Sequence, residues 1–270
     1  MKKDFFIGVD SDGTAFNSMI AKHRYAFIPA AIEVWSLEEY SNDVFEFCEY
    51  INLFSKHRGI NRFEGLLMMF DELKTRGIFL GDYSALREYM NNTNTYSNST
   101  LKKYIEDTQN PFLEEVLKWS MKADILFAEK VNGMPPFDGV KESLEEASKY
   151  ADVVVVSSAS AKGLLDDWGA SDIAKYTHKI MGQENGTKKQ QLKNAVGNEY
   201  SENCVLMIGD AIGDYDAAQS VDALFYPILP GREEESWHKF LETGMKKFFE
   251  GSFAGEYQKD LLKEFFDILS

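Results

Sequence analysis

Short apolar segments that alternate with helical segments are the feature that most restricts how this chain folds. One such segment, Phe5–Val9, lies near the start, and others follow residue 150: ADVVVV, HKIMG, CVLMIG and ALFYPI. Strands that alternate with helices in this way pair in parallel and carry helices on both faces of the sheet. The sequence therefore predicts an α/β protein with a Rossmann-like, doubly wound parallel sheet.

A long segment without strand signals separates the first strand from the second. Apolar and aromatic side chains recur there with the spacing of amphipathic helices over four stretches: 30–57, 63–76, 82–91 and 111–130. The polar run NNTNTYSNST, residues 91–100, predicts a loop or a boundary between helices. Because one strand precedes the segment and the others follow it, we expect an inserted all-helical domain over 16–133. The core domain is then formed by 1–15 and 134–270.

Polar clusters follow four of the predicted strands at the point where each strand ends. They are Asp10/Asp12, Ser157/Ser158, Lys188/Lys189 and Asp210/Asp214. Ligands of doubly wound sheets bind at the carboxyl ends of the strands, so we expect the clusters to converge on one site. Crowded carboxylates raise one another's pKa and destabilise the fold unless a cation lies among them. Oxygen ligands of this kind suit Mg²⁺, which also binds substrate phosphates.

Such a site has the groups that phosphoryl transfer needs. A carboxylate beside Mg²⁺ can attack phosphorus and form an aspartyl-phosphate. A second carboxylate two residues further on can protonate the leaving oxygen and then activate water. A serine hydroxyl, a lysine ammonium and the backbone N–H groups of the turn through Gly13 can hold the phosphoryl oxygens.

The same residues follow, in order, the four motifs of a known family. VDSDGT at 9–14 resembles the first motif of the haloacid dehalogenase superfamily, an apolar strand followed by DxDGT. VVVVSSAS resembles the second motif, GTKKQQL the third, and GDAIGDYDAA the fourth, GDxxxD. The resemblance is to the branch with a helical cap, which includes phosphoglycolate phosphatases and β-phosphoglucomutases. It implies a Rossmann-like core, a helical cap over 16–133, and Mg²⁺ as cofactor.

The resemblance implies a role for each carboxylate. Asp10 is expected to be the nucleophile and a Mg²⁺ ligand. Asp12 is expected to be the general acid and base, and to ligate the metal through its backbone carbonyl. Asp210 is expected to complete the metal site, with Asp214 behind it or bound to the metal through water.

The resemblance also implies that Ser158 and Lys188 bind the phosphoryl group. Aligning the SAS triplet with members that have helical caps favours Ser158 over Ser157. The third motif commonly reads Lys-Pro, whereas Lys189 follows Lys188 here, so both lysines stay open and Lys188 is preferred. Further residues of these motifs are expected to contact the substrate: Gly13, Thr14 and Ala159.

Basic residues of the insertion are candidates for contact with the rest of the substrate. In SKHRGINRFEGL, 55–66, Arg58, Asn61 and Arg62 surround a Gly-Ile turn in an otherwise acidic chain. In the family the cap closes over the site and selects the substrate. We expect Arg62, with Arg58 or Asn61 as further candidates, to bind the non-phosphate part of the substrate; the alternative is a helix start with solvated arginines.

Composition argues against several other classes of function. The formal net charge is −15, and no run of Lys or Arg suggests nucleic-acid binding. No apolar stretch is long enough for a membrane span or a signal peptide. Cys48 and Cys204 are far apart and form no CxxC motif, which favours reduced thiols. We therefore expect a cytoplasmic protein, whose oligomeric state the sequence does not indicate.

The function that the sequence predicts is that of a Mg²⁺-dependent phosphatase acting on a small phosphorylated metabolite through an aspartyl-phosphate. Two alternatives stay open. One is a phosphomutase of the β-phosphoglucomutase kind, which shields the aspartyl-phosphate from water. The other is a non-catalytic, ligand-sensing member of the same fold. Dehalogenation is disfavoured, because that chemistry has no leaving oxygen to protonate and Asp12 is present.

Overall fold

The chain folds into two compact units. The computed structural model describes residues 2–78, 80–93, 96–130 and 133–270. The first unit, the core unit, comprises Met1–Met19, Phe54–Arg58 and Gly133–Ser270. The second, the helical unit, comprises Ile20–Leu53 and Gly59–Asn132.

A parallel sheet of five strands forms the centre of the core unit. The strands are β1 (Phe5–Val9), β2 (Ala151–Val156), β3 (Lys179–Met181), β4 (Val205–Gly209) and β5 (Leu224–Pro227). Their order is β3-β2-β1-β4-β5, and each neighbouring pair is parallel. Val9 of β1 is level with Val155 on one side and Ile208 on the other. The residues that follow β1, β2 and β4 therefore emerge side by side.

Helices α1–α7 lie between β1 and β2 in the chain. They are α1 (Ser18–Lys22), α2 (Ile28–Val34), α3 (Ser41–Leu53), α4 (Arg62–Thr75), α5 (Ser84–Asn92), α6 (Asn98–Thr108) and α7 (Pro111–Lys130). A π-helical turn, His23–Phe27, and a 3₁₀ turn, Glu38–Tyr40, join the early helices. The core of the helical unit is aromatic: the Trp119 ring lies 6.0 Å from Phe63 and 6.3 Å from Trp35.

The predicted helix over 30–57 is wrong at its end. Helix α3 stops at Leu53, and Phe54–Arg58 belongs to the core unit. Ser55 explains the stop, because its side-chain oxygen accepts the His57 N–H at 3.1 Å and its carbonyl accepts the Arg58 N–H at 2.9 Å. Such local bonds compete with the helical pattern.

The polar run 91–100 contains a boundary between helices, as predicted. Helix α5 ends at Asn92, and α6 begins at Asn98 with Ser97 as its N-cap. Residues 94 and 95 lie outside the described residues. The helix Asn98–Thr108 was not predicted.

Helices α8–α14 follow in the core unit. They are α8 (Val140–Ala147), α9 (Ala161–Ala170), α10 (Lys188–Val196), α11 (Ile212–Gln219), α12 (Glu233–Lys239), α13 (Met245–Phe249) and α14 (Glu256–Ile268). Shorter helical turns occupy Ala174–Tyr176, Gln183–Asn185 and Phe240–Gly244. Across the described residues, the helices are too short or too polar to pass through a lipid bilayer.

The sheet is buried on both faces, as its β-branched composition requires. Ile7 and Val9 pack on one face with Trp168 of α9 and Trp237 of α12. Phe6 packs on the other face with residues of α10 and α14. The prediction of a Rossmann-like, doubly wound sheet with an inserted helical domain is confirmed.

Candidate active site

Three buried carboxylates lie together at the carboxyl ends of β1 and β4. Asp10 follows β1, and its N–H donates to the carbonyl of Ile208 at 3.0 Å. Asp210 follows β4, and Asp214 lies in the first turn of α11. Each carboxylate offers one oxygen, and these oxygens lie within 4.8 Å of one another. Like charges this close need a positive counter-charge.

Lys188 supplies part of that counter-charge. It is the first residue of α10, whose N-cap Thr187 accepts the N–H of Gln190. Its ammonium Nζ lies 2.8 Å from Oδ1 of Asp10 and 2.6 Å from Oδ1 of Asp214. Lys189 points elsewhere: it is exposed, and its Nζ lies 3.6 Å from Asp216. Of the two lysines left open by the sequence, the structure places Lys188 among the carboxylates.

Burial raises the pKa of the carboxylates Asp10 and Asp214, whereas those carboxylates raise the pKa of Lys188. Burial raises the pKa of Asp10 well above its ordinary value; Lys188 opposes the rise, and the charges of Asp214 and Asp210 add to it. Burial also raises the pKa of Asp214 against the effect of Lys188. For Lys188, burial favours the neutral amine, but the charges of Asp10 and Asp214 outweigh it and raise the pKa. The ammonium is therefore kept charged, and the carboxylates favour additional positive charge.

The turn after β1 is shaped to approach Asp210. Gly13 has φ +82°, a conformation that favours glycine, and a Cβ added there would lie 2.5 Å from Oδ2 of Asp210. The Thr14 hydroxyl donates to Oδ1 of Asp210 at 2.6 Å and lies 3.4 Å from Oδ2 of Asp10. Thr14 thus links the two carboxylates instead of pointing to open space.

Asp12 is more exposed than the three buried carboxylates. It is half-buried, two residues after Asp10, and accepts a hydrogen bond from the Ser18 hydroxyl at the start of α1. A carboxyl group in this position is more accessible to water than Asp10, which fits a group that exchanges protons.

The loop after β2 separates the two candidate serines. Ser157 is buried, and its side-chain oxygen accepts the Ala159 N–H at 3.1 Å. Ser158, the next residue, is exposed. Gln191 of α10 fixes this loop: its side-chain amide donates to the carbonyls of Ser157 at 2.9 Å and Gly182 at 3.0 Å. Sequence reasoning had no signal for Gln191.

Arg58 and Glu233 are further charged groups at the site. The Arg58 side chain is 1% exposed, and its Nε lies 2.5 Å from Oδ2 of Asp210. One guanidinium nitrogen, Nη2, lies 3.7 Å from Glu233 at the start of α12. Burial raises the pKa of Glu233. The sequence marked Arg58 only as a basic residue near the substrate, and it gave no role to Glu233.

Two tryptophans brace the loop that carries the acidic motif. Trp237 of α12 donates from Nε1 to the Thr14 carbonyl at 2.8 Å. Trp168 of α9 donates from Nε1 to the Ser11 hydroxyl at 3.0 Å. Both rings are fully buried in the core of the sheet. Their hydrogen bonds fix the positions of Ser11 and Thr14 relative to α9 and α12.

The comparison with family models decides which family this is. A model described as haloacid dehalogenase-like hydrolase matches residues 82–226, more than half of the chain. The chain belongs to the haloacid dehalogenase-like hydrolases. The matched region includes Ser158, Lys188, Asp210 and Asp214, whereas the acidic motif at 9–14 precedes it. The enzyme is therefore a hydrolase of this family.

Three solved structures are similar to this chain at low sequence identity. A magnesium-bound hydrolase from Bacillus subtilis is 14% identical, with 89% of this chain and 100% of that chain covered and a TM-score of 0.49. A predicted phosphoglycolate phosphatase from Haemophilus somnus is 17% identical, with 84% and 86% covered and a TM-score of 0.49. A family member from Streptococcus pneumoniae is 15% identical, with 86% and 90% covered and a TM-score of 0.45. None of the curated proteins compared with the chain matches it.

The carboxylates of this haloacid dehalogenase-like hydrolase fit a divalent cation. Asp10, Asp210 and Asp214 are hard oxygen ligands, which Mg²⁺ prefers. Burial raises the pKa of both Asp10 and Asp214 although Lys188 lowers it, so the ammonium alone does not offset their loss of hydration. A cation bound there would stabilise their ionised forms.

Arg62 lies in the helical unit. Its Nη1 lies 2.5 Å from Asp124 and 3.2 Å from the Ser120 hydroxyl, and its guanidinium lies 4.8 Å above the Phe27 ring. It lines a cavity within this unit together with His23 and apolar side chains. Asn61 caps α4. A substrate contact for Arg62 stays a prediction.

Proposed function

We propose that the protein is a Mg²⁺-dependent phosphatase that hydrolyses a small phosphorylated metabolite through an aspartyl-phosphate on Asp10. The observation that carries this proposal is Lys188 bridging Asp10 and Asp214 beside Asp210. A nucleophilic carboxylate, an ammonium ion and a set of metal-type oxygens thereby share one small buried volume. Phosphoryl transfer uses this combination of positioned charge and nucleophile.

The metal would be held by Asp10 and Asp210, with Asp214 beside them and the Asp12 carbonyl as a further ligand. When bound, Mg²⁺ supplies positive charge that stabilises the phosphoryl oxygens and the ionised carboxylates. Lys188 and the Ser158 hydroxyl bind the same phosphoryl oxygens. The backbone of Gly13, Thr14 and Ala159 lines the position of the phosphoryl group.

In the first step, a carboxylate oxygen of Asp10 attacks phosphorus, and the bond from phosphorus to the leaving oxygen breaks. Asp12, protonated at this stage, donates its proton to the leaving oxygen, so the alcohol departs neutral. The products are the aspartyl-phosphate on Asp10 and the carboxylate form of Asp12.

In the second step, the Asp12 carboxylate removes a proton from a water molecule, and the water oxygen attacks phosphorus. The bond between phosphorus and the Asp10 oxygen breaks, which releases inorganic phosphate and restores Asp10. Asp12 ends protonated, ready for another cycle. Lys188 compensates the charge on Asp10 throughout.

Substrate choice is assigned to the helical unit, with Arg62 as the contact to the non-phosphate part. Arg62→Ala is then expected to raise KM on the true substrate while kcat stays close to the wild-type value. Asp124→Ala is the matched control, because it frees the guanidinium without removing it. An unchanged KM for Arg62→Ala would mean that Arg62 does not contact the substrate and only stabilises the helical unit.

A cytoplasmic setting belongs to the same proposal. Cys48 and Cys204 are both free, as expected for thiols in a reducing compartment.

The test of the proposal is phosphate release from a panel of phosphorylated metabolites, with Mg²⁺ or with EDTA. We expect turnover in Mg²⁺, none in EDTA, and none from Asp10→Asn. Asp216→Asn is the matched control, since Asp216 is an exposed aspartate of α11 outside the buried group. Conversion of a sugar phosphate to its isomer without phosphate release would indicate a phosphomutase instead. Release that persists in EDTA or in Asp10→Asn would refute the proposed mechanism.

A further inference from the structure

The guanidinium of Arg58 contacts Asp210, one of the carboxylates proposed to hold the metal. Its Nε lies 2.5 Å from Oδ2 of Asp210, and the Thr14 hydroxyl lies 2.6 Å from Oδ1 of the same carboxylate. Both oxygens of Asp210 therefore already have a donor. A divalent cation that takes an Asp210 oxygen shares the carboxylate with a positively charged side chain or displaces it.

Arg58 is held in this place by its own segment and by burial. The Arg58 N–H donates to the Ser55 carbonyl at 2.9 Å, which closes a turn after the end of α3. The residue is 2% exposed, so its charge is hardly screened by water. Repulsion between the guanidinium and a cation on the same carboxylate is strong under these conditions.

A second carboxylate is ready to accept the guanidinium. Glu233 lies 3.7 Å from Nη2 of Arg58, and its Oε1 also accepts the Gly231 N–H at 3.0 Å. Burial raises the pKa of Glu233, and Arg58 opposes that rise. A closer contact with Arg58 would stabilise the ionised form of Glu233 further.

We propose that Arg58 competes with the divalent cation for Asp210, and that cation binding transfers the guanidinium from Asp210 to Glu233. The proposal rests on the metal site of the proposed function. Arg58 and Glu233 then set the metal affinity as a pair: Arg58 lowers it, and Glu233 raises it by receiving Arg58. Both are positioning residues that act through Asp210.

Isothermal titration of the full chain with Mg²⁺ in a buffer of low ionic strength tests the first half. We expect Arg58→Gln to bind Mg²⁺ about tenfold more tightly than the wild type, a gain of about 1.4 kcal/mol. Arg232→Gln is the matched control. It also removes one positive charge, but Arg232, which precedes Glu233 in the chain, pairs with Glu264 and not with Asp210. Equal affinity of Arg58→Gln and the wild type would overturn the proposal.

A double-mutant cycle tests the transfer to Glu233. Glu233→Gln alone is expected to weaken Mg²⁺ binding, because the displaced guanidinium loses its acceptor. In the Arg58→Gln background the same change is expected to have little effect. Equal effects of Glu233→Gln in both backgrounds would mean that the two residues act only through independent charges, which would overturn the transfer.

A spectroscopic measurement on the wild-type chain covers the case in which Arg58→Gln does not fold. The Nε–H resonance of Arg58 in arginine-labelled protein is identified by its loss in Arg58→Lys. We expect this resonance to shift on addition of saturating Mg²⁺, while the Arg232 resonance stays in place. An Arg58 resonance that does not respond, in a protein that binds Mg²⁺, would overturn the proposal.

The outcomes also separate this proposal from the proposed function. If neither the wild type nor Arg58→Gln binds Mg²⁺, the metal site of the proposed function is wrong, and the competition fails with it. If Mg²⁺ binds and supports phosphate release, but Arg58→Gln and the wild type have equal affinity, only the competition is wrong.

Discussion

Replacing Lys188 by methionine removes the counter-charge of two buried carboxylates while keeping a side chain of similar length. The ammonium lies 2.8 Å from Asp10 and 2.6 Å from Asp214, and it is 17% exposed. Removing one partner of a buried ion pair leaves an uncompensated buried charge, which costs about 3–5 kcal/mol. We expect a loss of unfolding free energy of that size in EDTA at pH 8. At about 2–4 °C per kcal/mol for a chain of this class, the melting temperature falls by roughly 6–20 °C.

The loss of unfolding free energy caused by Lys188→Met is expected to increase with pH. Burial already raises the pKa of Asp10 and Asp214 in the folded wild type, and loss of the ammonium raises both further. A group with a raised pKa in the folded state retains its proton, so its contribution is most favourable at low pH and is lost as pH rises. We therefore expect a small deficit at pH 5 and the full deficit at pH 8.

Thermal unfolding followed by circular dichroism at the two pH values, in EDTA, measures this effect. Lys189→Met is the matched control: its Nζ is exposed and 3.6 Å from Asp216, so the expected cost is below about 1 kcal/mol. A loss of unfolding free energy below about 1 kcal/mol for Lys188→Met at pH 8, or a loss that shrinks as pH rises, would contradict the predicted role of Lys188 as counter-charge.

The Cys48 thiol, the helix cap of Asn61 and the side-chain amide of Gln191 each have a measurable consequence. Burial raises the pKa of the Cys48 thiol to about 12. A thiol reagent at pH 8 is therefore expected to label Cys204 in the native protein and Cys48 only after urea unfolding. Equal labelling rates of the two thiols in the native protein would contradict this. Asn61 forms a capping box with Glu64 at the start of α4, so Asn61→Ala is expected to cost about 1 kcal/mol in urea unfolding, and no change would contradict the cap. Gln191→Leu removes the donor of the Ser157, Gly182 and Gly186 carbonyls, so we expect the unfolding free energy to fall by about 3 kcal/mol. An unfolding free energy equal to that of the wild type would show that water replaces the amide.

Sequence patterns predicted the sheet well because buried parallel strands are short, apolar and rich in β-branched residues. The run Val153–Val156 lies within β2, and Phe5–Val9 coincides with β1. Polar residues follow the predicted strands in the sequence, and the parallel strand order brings those strand ends together. The convergence of Asp10 and Asp210 thus depends on topology that the alternation of strands and helices already implies.

Helical spacing predicted less well where polar residues form local bonds. Residues 54–57 continue the apolar spacing of α3, but the hydrogen bonds of Ser55 end the helix and direct the segment into the core unit. The helix Asn98–Thr108 has only a short apolar stripe, Leu101, Tyr104 and Ile105, beside a long polar run, and it begins at the capping box of Ser97. Propensity is a weak prior beside such side-chain contacts.

The fold class, the family and the carboxylate-rich strand ends could all be predicted from the amino-acid sequence, because each depends on short contiguous motifs. The folded chain shows in addition that the Lys188 ammonium lies beside Asp10 while that of Lys189 lies near Asp216, because adjacent residues at a helix start point in different directions. It also placed Arg58 on Asp210, a residue 152 positions away in the chain. Ion pairs between such distant residues leave no local pattern, because their energy depends on burial and distance, which exist only in the folded chain.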